Sequence, residues 1–563
     1  MNQPLDPIEF EIFKNIFVSV AEEMGVTLCR TGFSPNIKER LDYSCAIYDA
    51  AGHTIAQGDH LPVHLGAMPL SVRAAIDSGP LHPGDTIILN HPFRGGTHLP
   101  DITLVSPVFL PLLPNASSRP ERDSSIVARS GDIPAFGTNS SQTAEFQSKP
   151  AFFAANRAHH SDVGGMSPGS MPLAREIFQE GLILPPLKLI KRGTLDADLL
   201  ALILANVRTP HEREGDLTAQ IASNRVGELR LLALVKNYGL EKIYRYAAAT
   251  QDYAERMLRS SIAAIPDGRY EFTDALDNDG FSAAPVRIRC AITIAGDHAT
   301  VDFTGSDPQT SGGVNANFAI TMSATLYCFR CLIEDDVLYN DGIGRAVTVI
   351  APAGSIVNAQ HPSAVAGGNV ECSQRITDVV LGALSKALPH RIPAASQGTM
   401  NNVTLGGTDN RHGATKQFAY YETMGGGMGA RNSLPGLSGV HTHMSNTRNT
   451  PIEALEQSLP VRITTYALRK NSGGAGEFPG GDGLIREFEM LAETTATVLT
   501  ERRENPPYGA QGGTPGSCGR NTLIHSDGTI EPLPGKATLR LAPGDRLRIE
   551  TPGGGGFGTP TSK

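Results

Sequence analysis

A histidine and an aspartate three residues apart, His98 and Asp101, stand at the exit of a loop rich in glycine and proline, Asn90-His91-Pro92-Phe93-Arg94-Gly95-Gly96-Thr97-His98-Leu99-Pro100-Asp101. Imidazole and carboxylate are the donor types that hold Zn²⁺, Mn²⁺ or Fe²⁺. Leu99 precedes a proline and is pushed out of helical backbone, so both side chains can face one point. Alone, such a pair is more often two solvated loop residues than a ligand set. More donors stand elsewhere: Asp42 at the mouth of a strand-like run, and His159, His160 and Asp162 in Arg157-Ala158-His159-His160-Ser161-Asp162. Adjacent histidines in extended backbone point to opposite sides, so only one of His159 and His160 can face inward. Asp162 is then an outer partner or a general base. His441 and His443 alternate in a strand-like segment and are expected to share a face, where they can bind substrate or stabilise a developing charge. His60 and His64 lie in a further loop.

These donors need a scaffold that gathers them. Residues 102–109 and 151–156 read as strands. Paired antiparallel, the end of the second lies beside the start of the first, which returns His159, His160 and Asp162 to His98 and Asp101. Between them, 110–150 is rich in Pro, Ser, Thr, Gln and Gly. It reads as a long excursion from a hairpin tip, a solvent loop first and a lid over the site second. Upstream, 7–28 reads as a helix capped by Asp6, with Pro7 in the first turn, Glu9 completing a capping box, and Ile8, Ile12, Ile16 and Val20, with Phe13, Phe17 and Met24 beside them, as its core face. A hairpin turn at Ala51-Gly52 separates two strands. Downstream, 170–262 reads as mostly helical, with Arg213, Asp216, Asn224 and Arg225 on solvated or ion-paired positions. Strands follow from 268, then a helix near 320–333 whose Cys328 and Cys331 read as buried thiols, and a helix at 371–389 ended by Pro389. The remainder is glycine-rich. Its loop 423–431 lets backbone approach a ligand or another chain segment closely. The expected class is α+β, multi-subdomain, mixed or antiparallel β-rich with a helical middle segment. The expected units are 1–169 with the metal site, 170–265, 266–400, and a Gly-rich β region at 401–563.

Length and charge set outer limits. A chain of 563 residues exceeds one core. It has 40% hydrophobic and 19% charged residues, 60 glycines, 39 prolines and no Trp, so it is globular and turn-rich. The net charge of −9 argues against a broad nucleic-acid or anionic-membrane footprint. There is no apolar span of membrane length and no secretory leader pattern. Seven scattered cysteines fit a reducing compartment, so cytoplasm is expected. No GxxxxGK[ST] loop, dinucleotide fingerprint or G-x-S-x-G elbow occurs.

The chain resembles the hydantoinase B/oxoprolinase family at Gly95–Asp101, at 156–165 (Asn-Arg-Ala-His-His-Ser-Asp-Val-Gly-Gly), in the 425–430 loop, in 441–453 and in 471–483. The resemblance implies the B subunit of an ATP-dependent cyclic-amide hydrolase. A hydantoinase A-type ATPase subunit, which binds ATP and Mg²⁺, would phosphorylate the amide oxygen, in a hetero-oligomer such as A2B2. The B subunit would complete the reaction at a divalent-metal site. By the same resemblance the ligands are Asp42, His98, Asp101 and one of His159 and His160. Asp162, His441 and His443 are the expected catalytic groups, and Gly426, Gly427 and Arg448 the expected substrate contacts. The alternative is a subunit of an ATP-dependent acetone- or acetophenone-type carboxylase. Two departures stand out: His91 replaces the Asp more usual there, and the 110–150 excursion is long.

Overall fold

The computed structural model describes residues 5–58, 60–112, 146–411, 413 and 415–560. Helix α1 (Pro7–Thr31) starts as expected: the Asp6 carboxylate accepts the Ile8 N–H at 2.9 Å, and Pro7 occupies the first turn. Glu9 closes no capping box. It binds Lys242 at 2.6 Å and the Tyr246 hydroxyl at 2.7 Å. The buried face is Phe13, Phe17, Val20, Met24 and Leu28, whereas Ile8 and Ile12 are 72% and 47% exposed. Phe13, Phe17, Val20 and Met24 are thus buried as expected, while Ile8, Ile12 and Ile16 fall off the face, which corrects that part. A constant spacing of four drifts about 40° per step from the helical period, while 13-17-20-24-28 mixes three and four and stays on one side.

The site is built on a seven-stranded sheet of β1 (Tyr43–Asp49), β2 (Thr54–Gln57), β3 (Thr86–Leu89), β4 (Asp101–Val108), β5 (Phe152–His159), β6 (Leu187–Lys191) and β7 (Thr194–Leu195). The order is β2-β1-β5-β4-β3-β6-β7, with every neighbour antiparallel. The expected β4–β5 pairing is present, in a register running from Asp101 opposite His159 to Val108 opposite Phe152. On the other side of β5, Tyr43 faces Ala158, and the His159 N–H donates to Asp42 O at 3.0 Å. The mouths of β1 and β4 and the end of β5 thus share one edge. Every residue of β4 and β5 is buried, because the sheet is covered on both faces. The helix Met68–Asp77 packs one face through Val72 and Ala75 against Ile87, Val105 and Phe153, while α1 and α2 (Pro210–Tyr238) cover the other.

Of the two readings of the α2 polar face, ion-paired rather than solvated holds: Arg213 pairs with Asp216 at 2.8 Å. Arg213, Asp216, Gln220 and Asn224 are buried against β4 and β5; Arg225 alone of the expected four reaches the surface. Gln220 donates to Ile102 O at 2.9 Å and Asn224 to Leu104 O at 3.1 Å. The stretch 170–196 holds only one short 3-10 turn, Ile177–Gln179, besides β6 and β7, and the next α-helix starts at Ala197. The excursion expected at 110–150 lies outside the described residues from 113 to 145. At its roots Pro111 and Phe146 form an antiparallel bridge.

Beyond α3 (Leu240–Ala263), strands β8 (Gly268–Leu276), β9 (Val286–Ala295), β10 (His298–Asp302) and β11 (Val347–Ile350) form a second sheet, with β10 and β11 parallel. Helices α4 (Phe318–Arg330) and α5 (Ser373–Ala387) share its core. Cys328 is buried there, but Cys331 is exposed. The C-terminal region adds a four-stranded and a five-stranded sheet, giving a multi-subdomain α+β fold. Among the described residues, no helix is long and apolar enough to cross a membrane.

Candidate metal centre

The loop before β4 is held by two buried asparagines. Asn90 donates to Leu99 O at 2.8 Å and Leu182 O at 3.0 Å, and accepts from Leu184 N at 2.7 Å. Asn317, which also caps α4, donates to Pro92 O, Gly96 O and Thr97 O. Gly95 takes φ 91°, where a Cβ would strike Leu70 O. So held, the loop turns His98 and Asp101 inward at the sheet edge.

Three atoms then form a near-equilateral triangle. His98 Nε2 lies 3.1 Å from Asp101 Oδ1, His159 Nδ1 lies 3.3 Å from the same oxygen, and the two nitrogens are 3.2 Å apart. A tetrahedral ion with bonds of about 2.0 Å has edges of about 3.3 Å, and an octahedral one with bonds of about 2.1 Å has edges of about 3.0 Å. The triangle falls between these. Asp101 Oδ2 is occupied differently: it accepts the Thr97 hydroxyl at 2.6 Å and lies 3.4 Å from both His64 Nε2 and Asn369 Nδ2. Asp101 Oδ1, His159 Nε2 and Asn369 Oδ1 are buried and make no hydrogen bond. The orphaned carboxylate oxygen Asp101 Oδ1, a corner of the triangle, and this donor set fit a divalent cation. The rings are oriented from behind, by Ala366 O at 3.4 Å from His98 Nδ1 and by the Ser44 hydroxyl at 2.9 Å from His64 Nδ1. Tyr421 stacks on His159 with centroids 4.4 Å apart. Asp42, His64, Asp101, His159, Asn369 and Tyr421 line a cavity of about 20 Å³, room for about one water.

Burial dominates the electrostatics. It lifts the Asp42 carboxyl to about 7, against the pull of Arg40. Burial also acts to raise Asp101, but the neighbouring His98 and His64 hold its carboxyl well below the usual range. Burial lowers His64, and takes His159 down to about 3, so both rings are neutral and have lone pairs to offer a cation at physiological pH.

The other expected residues are placed as follows. His160 faces away, its Nε2 2.9 Å from Gln220 Oε1, which resolves the adjacent pair in favour of His159. Asp162 is committed elsewhere: it takes the Arg208 guanidinium at 2.9 Å and the backbone N–H groups of Gly164, Gly169 and Arg208, and none of these bonds reaches the cluster. His441 and His443 do not share a face. The segment is not a strand, and His443 has φ 58°, which breaks the alternation. His443 Nδ1 lies 3.4 Å from the Tyr327 hydroxyl, and His441 Nδ1 lies 2.8 Å from Ser445 Oγ. Gly426 and Gly427 approach backbone: a Cβ on Gly427 would land on Gly481 O and Gly554 N, and Gly426 bridges Val440. Close chain packing, the second of the two readings of that loop, is what the glycines serve. Arg448 donates its N–H to Arg40 O at 2.9 Å and its side chain is exposed. His91 stands against His361, with centroids 6.0 Å apart.

Sequence reasoning passed over His64, Asn369 and Ser445. His64 lies in a loop whose histidines carry no spacing signal toward residue 98. Asn369 sits in a π-type turn, Gly368–Cys372, ahead of α5, and only the Gly367-Gly368 pair hints at unusual backbone there.

The hydantoinase B/oxoprolinase family model matches residues 6–115 and 134–560, leaving out a stretch inside the excursion. An uncharacterised protein of Methanocaldococcus jannaschii is 40% identical, over 99% of this chain and 91% of its own. The 5-oxoprolinase 1 of Arabidopsis thaliana is 37% identical over 98% of this chain, which spans 42% of that enzyme's length. The crystal structure of ATP-dependent caprolactamase from Pseudomonas jessenii superposes with a TM-score of 0.85 at 28% identity, covering 99% of this chain and 92% of that one. Acetone carboxylase, in its nucleotide-free structure, shares the fold with a TM-score of 0.85 at 18% identity, covering 98% of this chain and 76% of that one. With its model matched across nearly the whole length, the chain belongs to the hydantoinase B/oxoprolinase family.

Proposed function

We propose that this chain is the ring-opening component of an ATP-dependent cyclic-amide hydrolase, acting on a lactam, hydantoin or oxoproline activated by a hydantoinase A-type partner. The observation that carries the reading is the buried His98–Asp101–His159 triangle in a chain of this family. The named activities of the plant relative and of the caprolactamase support the substrate class. In this reading ATP and Mg²⁺ sit on the A-type partner, in an assembly such as A2B2.

A divalent ion, Zn²⁺, Mn²⁺ or Fe²⁺, held by His98, Asp101 and His159 with Asp42 beside them, would supply Lewis acidity at the ring carbon. The chain's own residues do the rest. Thr97 and Asn369 fix the Asp101 carboxylate, and Ala366 and Ser44 fix the rings of His98 and His64. Asp42, held near neutrality by burial, stores or gives a proton. The cavity beside the cluster has room for a single water, the size of the attacking molecule. The sequence-based alternative, a ketone carboxylase, has the shared fold on its side.

The test is to purify the chain with its A-type partner, measure bound metal, and assay hydantoins, lactams, 5-oxoproline and ketones for coupled ATP hydrolysis. Ring opening that disappears in His98→Ala together with the metal is the expected result. Bicarbonate-dependent ketone consumption without amide hydrolysis would replace this reading with carboxylation.

A further inference from the structure

One residue, Ser445, lines the same cavity without holding any corner of the triangle, and a histidine outside the lining backs it. Ser445 is 4% exposed and lines the cavity with Asp42, Asp101 and His159. Its Oγ lies 2.8 Å from His441 Nδ1. The loop that carries both is pinned from several sides: Asn446 donates to His60 O at 3.0 Å, Arg448 N to Arg40 O at 2.9 Å, and the Asn449 amide to Glu422 Oε1 and Thr423 O, both at 2.7 Å. Asn449 also stands beside the His441 ring, and Nε2 of that ring is buried without a hydrogen bond. Burial first, and Arg40 second, lower His441 to about 4, so the ring is neutral and its Nδ1 can accept the Ser445 hydroxyl. A hydroxyl that opens onto a one-water cavity and is backed by a neutral imidazole is built to pass protons. Asp162, tied to Arg208, leaves that task open.

We infer that Ser445 and His441 form the proton-transfer pair of the ring-opening step, Ser445 touching the attacking water and His441 taking the proton. This rests on the function proposed above. As the water oxygen bonds to the carbon of the O-phosphorylated ring, one of its protons passes to Ser445 Oγ while the Ser445 proton passes to His441 Nδ1. The imidazolium returns that proton by the same path to the ring nitrogen. The C–N bond then breaks, the remaining hydroxyl proton moves to the nitrogen, and an amine and an acyl phosphate result. A second water hydrolyses the acyl phosphate. No oxidation state changes.

The full chain with its partner is compared as wild type, Ser445→Ala, Ser445→Thr and His441→Gln. The expected result is a kcat lower by about 10²–10⁴-fold in Ser445→Ala and His441→Gln, a KM changed little, unaltered bound metal, and a changed solvent deuterium isotope effect. Ser445→Thr, which keeps the hydroxyl, recovers most of the loss. Full activity in Ser445→Ala, loss of metal in it, or an unchanged isotope effect overturns the relay. A separate readout needs no turnover: ¹⁵N NMR of histidine-labelled chain is expected to show His441 neutral and protonated on Nε2, with an Nδ1 signal that moves in Ser445→Ala. A charged ring, or an Nδ1 signal indifferent to Ser445, overturns the relay even if no cyclic amide proves to be a substrate. A wild type that opens no ring while keeping these NMR features sinks the proposed function alone.

Discussion

Replacing Asp101 by Asn tests the centre of the site with the least change in shape. The Thr97 hydroxyl donates to Oδ2 at 2.6 Å, so a new amide is held with its oxygen at that position. Its NH₂ then points where Oδ1 stood, toward His98 Nε2 and His159 Nδ1 at 3.1 and 3.3 Å. One anionic donor becomes a neutral group with no lone pair to give. At an effective dielectric near 20, a pair of unit charges 4 Å apart is worth about 4 kcal/mol. A divalent ion bonded at about 2 Å loses no less, so affinity should fall about 10³-fold or more. Competition with a chromophoric chelator measures this directly. A thermal scan gives a second view: a wild type at 100 times its Kd gains about 2.7 kcal/mol from binding, and the variant gains nothing at the same metal concentration. Circular dichroism should show the fold intact. Metal affinity in Asp101→Asn within about tenfold of wild type would refute the triangle as a ligand set, given the dielectric argument above.

Three further outcomes are expected. His159→Gln should weaken metal binding more than about a hundredfold and His160→Gln less than about tenfold, because only the first ring faces the cluster; equal losses in a chelator titration would contradict the facing assigned to the pair. Glu180, buried and accepting the Val365 and Ala366 N–H groups at 2.8 Å, is pushed up to about 8. Its folded pKa exceeds its unfolded one, so its contribution is greatest below about pH 4.5 and falls by at most about 5 kcal/mol between pH 4.5 and 8. Glu180→Gln should flatten that slope in urea midpoints measured from pH 5 to 8, and an unchanged slope would assign the titration elsewhere. Gly427→Ala puts a Cβ onto Gly481 O and Gly554 N, both rigid backbone, and should cost about 4 kcal/mol or more. Soluble, protease-resistant protein would show that the glycine contacts are looser than drawn.

The sequence made legible whatever depends on period and pairing. Two apolar runs with a donor at the start of one and the end of the other were enough to place Asp101 opposite His159, since antiparallel geometry leaves little choice. Strand alternation showed that His159 and His160 must diverge, but the choice between them depends on which face α2 covers, and Gln220 of α2 claims His160. The Arg213–Asp216 pair on α2 fits the ion-paired reading, but its burial was not legible, because it depends on partners from other segments, Ser161 and the backbone of Phe33 and Ser34. His64 and Asn369 reach Asp101 from 37 residues before it and 268 after it, distances over which no local pattern acts. The His441–His443 alternation failed at one left-handed residue, which a dense polar loop does not advertise.

The β4–β5 register separates chemistry from variation. The cluster sits at Asp101 and His159, and the roots of the long excursion follow Val108 and precede Phe152, seven residue steps along the same two strands. At about 3.4 Å per step that is about 24 Å of hydrogen-bonded ladder. Buried on both faces, the ladder is a rigid spacer between the cluster at one end and the exposed Pro111, Leu112 and Phe146 just beyond the other. An affinity tag, a fluorophore or a reporter domain spliced in between residues 112 and 146 would join the chain at that distance from the cluster, giving a way to immobilise or watch it without touching His98, Asp101 or His159.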